Sequence, residues 1–578
     1  MEFALVGVVA IVTIVAVATF SKQLGVAAPL VLVVVGIGLS YLPGLGNRIE
    51  VPSWVILTVV LPPLLYANAV QVPLLDFRRN FRTISVLSVW LVIATTVVVG
   101  FTLFALIPEL NLGAAFALGA VVSPTDAVAA TAVAKSMGLP TRIISILEGE
   151  SLVNDASSLV LLKTAIATTG VAVNLWAVAG DFAFSVVIAI ALGLAVGIVT
   201  VRIRARLNDS VLETASSFAI PFLAYLPVES LGASGVLAAV VAGLYSGHEG
   251  ARHFTAQARI SERLNWRTVQ FVLENGVFLL MGFQLKTIVE EVPHESFGVL
   301  GAVGLGLLVC LLLLVVRGLF VVPLTWRARA DQKRADQYAP VLAERLEDLR
   351  SRPEPEDERV AGKVERYTRK IERREADLTE LAQTRVGPRS AAVITWAGMR
   401  GVVTVAAAQS LPADTPDRAQ LVLIAFTVAI VTLLGQGGTL PWIIRLTKIR
   451  GSDASADRRE LADLLEEMTN SALEVLNRPS DGAADDRTFD EEVIERVRRD
   501  TLNRLEGARE RVDRGEDADD QLGPHSQYWI LRSQVLAAER SALLEARSRG
   551  NYSSRVLGRA ESLLDADETR IARGSDDF

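Results

Sequence analysis

Uncharged apolar runs long enough to cross a bilayer recur through the first 446 residues of this chain, and nothing else in the sequence limits its fold as strongly. The first is Phe3–Phe20, "FALVGVVAIVTIVAVATF", and a membrane-spanning helix needs roughly 18 to 20 such residues. The chain has 578 residues, is 51% hydrophobic and has a mean hydropathy of +0.39. Its charged residues are crowded into a few places, where a soluble enzyme would spread them. A polytopic, all-α membrane protein follows. Glu2 stands where a signal peptide would carry a basic n-region, so the first run reads as a retained span. The single cysteine, Cys310 in "LGLLVCLLLLVV", excludes disulfides and cysteine-based metal sites within the chain and reads as a small lipid- or core-facing residue.

Hydropathy predicts about thirteen spans, near 3–20, 26–43, 52–69, 84–107, 114–134, 143–168, 176–201, 210–228, 231–247, 268–286, 297–325, 389–410 and 418–446. The loops test that number. Arg78, Arg79 and Arg82 follow span three, Lys135 and Arg142 span five, and Arg202, Arg204 and Arg206 span seven. Basic clusters follow spans nine and eleven as well, whereas exits such as "IPELNLG" and "LPADTPD" are neutral or acidic. The positive-inside rule then places the amino terminus outside and the carboxyl tail in the cytoplasm. Residues 1–446 form the membrane domain, interrupted at 328–388 by a charged segment with helical spacing on both sides of Pro353 and Pro355, which predicts a cytoplasmic helical hairpin. Residues 451–578 read as an α-helical cytoplasmic domain, with Pro479–Asp486 and Gly515–Pro524 as loops. The charges of both segments fit solvated helix faces.

Three carboxylates interrupt span six in "EGESLVND", Glu148–Asp155. A rise of about 1.5 Å per residue from Ile143 puts Asp155 roughly 18 Å deep, near the middle of a hydrocarbon core of about 30 Å. Glu150 and Asn154 are four apart, as are Ser151 and Asp155, so the polar groups share one helix face. Ionisable residues at that depth normally face a water-filled cavity or a partner and mark an ion or proton path; a buried structural hydrogen-bond network is the alternative. In span five, Pro124 breaks an apolar helix beside Thr125 and Asp126. Seven spans later, Gly398, Arg400 and Gly401 fall in the middle of span twelve, so the two interrupted segments run in opposite directions. Interrupted helices at corresponding places in inverted halves point to the midplane binding site of a transporter; two unrelated kinks are the plainer alternative.

The stretches "SPTDAVAATAVAKSMGLPTRIISILEGESLVNDASSLVL", "WAGMRGVVTVAAA" and "ENGVFLLMGFQL" closely resemble the bacterial monovalent cation:proton antiporters of the CPA1 class, related to NhaP proteins and to animal sodium/proton exchangers. The resemblance spans all thirteen segments, and "AERSALLEARSRGNYSSRVLGRAESLLDADE" in the far tail is similar to bacterial members. It implies two inverted six-helix repeats joined by span seven, a homodimer with a dimerisation domain, and a moving core in which unwound spans five and twelve cross. The resemblance also implies Asp155 as the exchanged carboxylate, with Asn154 beside it and Thr125, Asp126 and Ser151 around the ion. It implies an intramembrane ion pair between Glu150 and Arg400. Two features depart from it: Ala67 stands in span three where some members have an acidic residue, and the 328–388 hairpin is long. Glu274 in span ten is either the acidic position of the animal exchangers or a cavity-facing structural residue. Glu213 and Glu229, near span ends, read as solvated, and Lys163 as snorkelling outward.

Two other classes fit less well. "GASG" at Gly232–Gly235 hints at an intramembrane serine protease, but all four histidines, His248, His253, His294 and His525, lie outside the spans, leaving no base of that kind beside a serine. A cation channel also lines its pore with carboxylates, but has no need of a titratable Asp beside a helix break. The expected function is therefore exchange of Na+, with Li+ or K+ open, for H+ across the plasma membrane. A proton and a cation would compete for Asp155, in an electroneutral cycle without an organic cofactor, transition metal or nucleic-acid partner.

Overall fold

Among the described residues every regular element is helical. The computed structural model describes residues 2–24, 26–42, 52–167, 175–207, 209–293, 298–351, 358–383, 387–449, 454–477, 490–514, 524–549 and 554–576. Contacts divide the chain into two units, residues 1–451 and 452–578.

The first unit begins with α1 (Glu2–Leu24), α2 (Ala28–Ser40), α3 (Val55–Gln71) and α4 (Leu74–Leu106). Next come α5 (Leu112–Val122), α6 (Ala127–Ser136), α7 (Thr141–Ala167) and α8 (Leu175–Arg204). Then follow α9 (Ser210–Ser217), α10 (Ile220–Ser230), α11 (Gly235–His253) and α12 (Ala256–Glu290). The unit closes with α13 (Gly298–Ser351), α14 (Glu358–Gln383), α15 (Pro388–Trp396), α16 (Val402–Gln409) and α17 (Arg418–Thr447).

Local chemistry sets several starts. Asn111 accepts from the Ala114 amide at 2.7 Å, Asp209 from those of Val211 and Leu212, and Thr255 from that of Ala258, each satisfying amides that a helix amino terminus leaves unpaired.

Among the described residues, seven helical stretches are long and apolar enough to cross a membrane: Leu74–Leu106, Leu112–Ser136, Ala179–Arg204, Ser210–Ser230, Ala256–Glu290, Gly298–Leu349 and Arg418–Thr447. Gly7–Ser21, Ala28–Ser40 and Val55–Gln71 are shorter apolar helices. The expected spans near 143–168, 231–247 and 389–410 are helical too, as α7, α11 and the α15–α16 pair, but their polar residues or their breaks keep them outside that measure. The protein is a multi-pass α-helical membrane protein.

The buried apolar residues fall into separate clusters. The largest joins α2, α4–α7, α12, α13 and α15–α17. Two smaller ones join α3 to α8, α10, α11 and α12, and α3 to α7, α10 and α11. Small residues let backbones meet where helices cross most closely. A Cβ on Gly282 would lie 2.1 Å from the Val33 carbonyl oxygen, and one on Gly36 would lie 2.3 Å from that of Leu279, so α2 and α12 pack only as glycine against backbone.

The 328–388 segment differs in form from a hairpin set apart from the spans. Its first arm is the uninterrupted continuation of the eleventh span, because α13 runs for 54 residues. At about 1.5 Å per residue it is ~80 Å long, far beyond a hydrocarbon core of about 30 Å. α14 packs back along it, and Asp377 accepts from Arg79 Nε of α4 at 2.8 Å. Pro353 and Pro355 lie outside the described residues.

The second unit contains α18 (Ala454–Asn477), α19 (Glu491–Arg514), α20 (Pro524–Arg549) and α21 (Ser554–Asp576), paired as α18 with α19 and α20 with α21. Arg532 with Asp567 and Arg547 with Glu561 are ion pairs whose order along the chain makes α20 and α21 antiparallel. The expected loops at Pro479–Asp486 and Gly515–Pro524 lie outside the described residues, except Pro524, which opens α20.

Candidate ion site

Two chain breaks meet beside the middle of α7. α5 stops at Val122, residues 123–126 are non-helical, and α6 starts at Ala127 with Asp126 as its cap. Asp126 Oδ1 accepts from the Val128 amide at 2.8 Å, so this carboxylate is committed to a helix amino terminus, where a negative charge is favoured. α15 stops at Trp396 and α16 starts at Val402. The Asp126 amide donates to the Met399 carbonyl at 2.7 Å, joining the two breaks backbone to backbone. Gly401 makes the approach possible: a Cβ there would lie 1.9 Å from Asp126 Oδ2, a distance no side chain tolerates.

Arg400 lies in the second break and is only 3% exposed. Its Nε donates to the Val122 carbonyl at 3.0 Å, and its guanidinium also reaches the Gly398 carbonyl. It thus sits against the carboxyl end of α5, whose last carbonyls have no helical partner and whose dipole favours a cation. Its amide donates to Thr432 Oγ1 at 3.0 Å, in a π-helical turn of α17.

The Glu150–Arg400 pairing expected from the sequence is therefore corrected. Glu150 is paired with Arg317 of α13, Nη1 to Oε1 and Nη2 to Oε2, the second at 2.8 Å. Both residues are 1% exposed, and Arg317 Nε also donates to the Ile394 carbonyl at 2.9 Å. The guanidinium fork matches a carboxylate edge with two parallel bonds, whereas the carbonyls of an interrupted helix already occupy Arg400. Sequence reading missed Arg317, although a lone arginine inside "LLVVRGLF" is the signal that flagged Asp155.

The pair anchors a polar chain across α7. Thr125 Oγ1 donates to Glu150 Oε1 at 2.8 Å and accepts from Asn154 Nδ2 at 2.8 Å; Nδ2 also reaches the Thr125 carbonyl at 3.2 Å. Asn154 Oδ1 is buried without a partner. Ser151 Oγ accepts from the Ala127 amide at 3.3 Å.

Asp155 is different. It is 6% exposed, and among the described residues nothing hydrogen-bonds or ion-pairs with its carboxylate. It lines a cavity of about 50 Å³ together with Thr125, Asp126, Ser151, Asn68 and Glu274. That space holds water or a small cation, since one water needs roughly 10–15 Å³ on the same measure. A second cavity of about 360 Å³ shares Asn68, Ser151 and Glu274 and continues to Lys135 and Glu148. Glu274 accepts from Gln270 Nε2 at 2.8 Å, and Gln270 in turn from Gln71 Nε2 at 2.6 Å. The structure thus brings Asp155, Asp126, Thr125, Ser151 and Glu274 to one cavity and turns Asn154 into the neighbouring network. Ala67 is fully buried, and its neighbour Asn68 faces the cavity.

Three outlying residues differ from expectation. Glu213 is buried, at 2% exposure, near Arg204, which pairs at 2.8 Å with the equally buried Glu262. Lys163 is half-exposed, but its ammonium is ion-paired with Glu229 rather than free at the interface.

Residues 8–446 match the family described as "Sodium/hydrogen exchanger, transmembrane". The chain belongs to this sodium/hydrogen exchanger family. Its members are transporters, not enzymes. An uncharacterised Na+/H+ exchanger of Mycobacterium tuberculosis is 29% identical over 99% of this chain and 97% of its own length. A sodium, potassium, lithium and rubidium/H+ antiporter of Bacillus pumilus is 28% identical over 72% of this chain and 57% of its own. Among solved structures, the sodium proton antiporter MjNhaP1 of Methanocaldococcus jannaschii superposes with a TM-score of 0.54 at 16% identity, over 77% of this chain and 98% of its own, a likeness of fold.

Proposed function

We propose that the chain exchanges a monovalent cation for a proton across the plasma membrane by alternating access, with Na+ as the first substrate. The observation that carries this reading is the Asp155 carboxylate, buried at a cavity and without a hydrogen-bond or ion-pair partner among the described residues. A buried carboxylate must be neutralised, and only a mobile cation or a proton remains to do it. Occupancy by one excludes the other, so competition at Asp155 couples the two fluxes. Asp126, Thr125 and Ser151 supply further oxygens at the cavity, which suit a hard cation such as Na+ or Li+. The potassium among the ions of the Bacillus antiporter supports K+ as a second substrate.

The cycle is electroneutral on this reading. Glu150 is held by Arg317 and Asp126 caps α6, which leaves Asp155 as the one group that changes its cargo. The architecture proposed is thirteen spans in two inverted repeats joined by α8, crossing at the breaks in α5–α6 and α15–α16, in a homodimer with its amino terminus outside. Helices at all thirteen expected places and the Asp126–Met399 bond support it.

Dye-monitored proton flux in everted vesicles, challenged in turn with Na+, Li+, K+ and Rb+, tests the function. Cation-dependent proton release is expected with Na+. Flux with none of the four would overturn the reading, and currents that need no proton gradient would replace it with a channel.

A further inference from the structure

The cavity around Asp155 is open along one direction of α7 and closed along the other. Toward the amino end of α7 it continues to Glu148, seven residues before Asp155, and to Lys135. Those two residues pair at 2.8 Å on the wall of this larger cavity.

Toward the carboxyl end the path is blocked. Beyond Asp155, Ala156 and Leu159 of α7 pack with Tyr225 of α10 and with Val236 and Val240 of α11. Ala156, Tyr225, Val236 and Val240 are apolar or aromatic and each no more than 5% exposed, so this packing closes the path on that side. Just beyond it, eight residues and about 12 Å from Asp155 along the helix, Lys163 Nζ is paired with Glu229 Oε1.

Glu229 is fixed on its own side. Its other oxygen, Oε2, accepts from the Gly235 amide at 3.3 Å, at the amino terminus of α11, where the helix dipole favours a carboxylate. Lys163 is therefore the partner that arrives and leaves with α7. The pair ties the helix that carries Asp155 to the helices that face it, on the closed side only.

From this geometry we infer that Lys163 and Glu229 form a latch that holds the closed side shut, and that opening the cavity toward that side requires the pair to part. The inference rests on the alternating-access reading above and adds to it the residues that set which side is exposed at rest. Lys163 acts through the position of α7 and does not touch the ion. The pair is partly exposed, with side chains 48% and 32% accessible, so its contribution is small, and losing it shifts the conformational ratio by about two- to five-fold rather than abolishing a state.

The test reads cavity exposure rather than flux. Ala132 is exposed and lines the open-side cavity, so an Ala132→Cys variant with Cys310→Ala carries one thiol there. Purified protein in nanodiscs is labelled with a charged thiosulfonate, and the rate is compared among the parent, Lys163→Gln, Glu229→Gln and Lys163→Arg. Each neutral variant is expected to label about two- to five-fold more slowly than the parent, since its closed side opens more often. Lys163→Arg, which keeps the charge, is expected to label at the parent rate. Parent-like labelling in both neutral variants would overturn the latch, and so would a Lys163→Arg variant as slow as the neutral ones. If one neutral variant elutes as aggregate, the other against the parent decides. Labelling needs no ion flux, so absence of cation-driven proton flux in the parent would refute the antiport reading and leave this test standing.

Discussion

Replacing Arg317 by methionine should be strongly coupled to a change at Glu150, and the same replacement of Arg400 should not, although both arginines are buried in the membrane domain. Arg317→Met removes both bonds to Glu150 and the bond to the Ile394 carbonyl, and it strands a carboxylate that is 1% exposed. Breaking a buried pair from one side costs about 3 to 5 kcal/mol, most of it from the charge left behind. Thr125 still donates to Glu150, so the lower half of that range is expected. Arg400→Met strands no opposite charge. It frees the carbonyls of Val122 and Gly398, each costing about 1 to 3 kcal/mol if left unsatisfied. A double-mutant cycle separates the two cases. Glu150→Gln combined with Arg317→Met should cost much less than the sum of the single changes, a coupling of about 2 kcal/mol. Glu150→Gln with Arg400→Met should add to within about 0.5 kcal/mol. The measurement is thermal unfolding in detergent, followed by intrinsic fluorescence and by the monodisperse fraction on size exclusion. Coupling larger for Arg400 than for Arg317 would refute the pairing and return Glu150 to Arg400.

Asp155→Asn keeps the shape of the side chain but can release no proton; it should insert and elute as the parent does while losing cation-dependent proton flux in everted vesicles, and parent-level flux would remove Asp155 from the mechanism. Gly401→Ala places a methyl group 1.9 Å from Asp126 Oδ2, so the contact between the two breaks must open, and a loss of several degrees in thermal midpoint together with loss of flux is expected; an alanine variant with parent stability would show that the breaks do not meet as described. In proteoliposomes with a valinomycin-set potential and Na+ as substrate, the exchange rate should stay flat with voltage, whereas a steep dependence would assign a second proton carrier, with Glu274 on the cavity wall the first to examine.

The residues that carry ions were legible because a bilayer penalises charge so heavily that each exception stands out, and that logic picked Asp155, Glu150 and Arg400 from one sequence. It does not say who pairs with whom. Arg317 and Arg400 pose the same problem to a reader of the sequence, a guanidinium at membrane depth, and the fold solves it in two ways. Arg400 is neutralised by main-chain carbonyls that exist only because α5 stops at Val122, whereas Arg317 lies in an unbroken stretch of helix and must find a side chain. The same distinction accounts for the acids. Asp126 stands at a break and caps α6, while Asp155 stands in the unbroken α7, where every backbone amide is already bonded within the helix. Glu150, four residues before Asn154 on that helix, is matched by Arg317, which leaves Asp155 alone without a charge or a cap. Position relative to a helix break therefore sorts these buried charges into fixed and free, and the free one among them is Asp155 at the cavity.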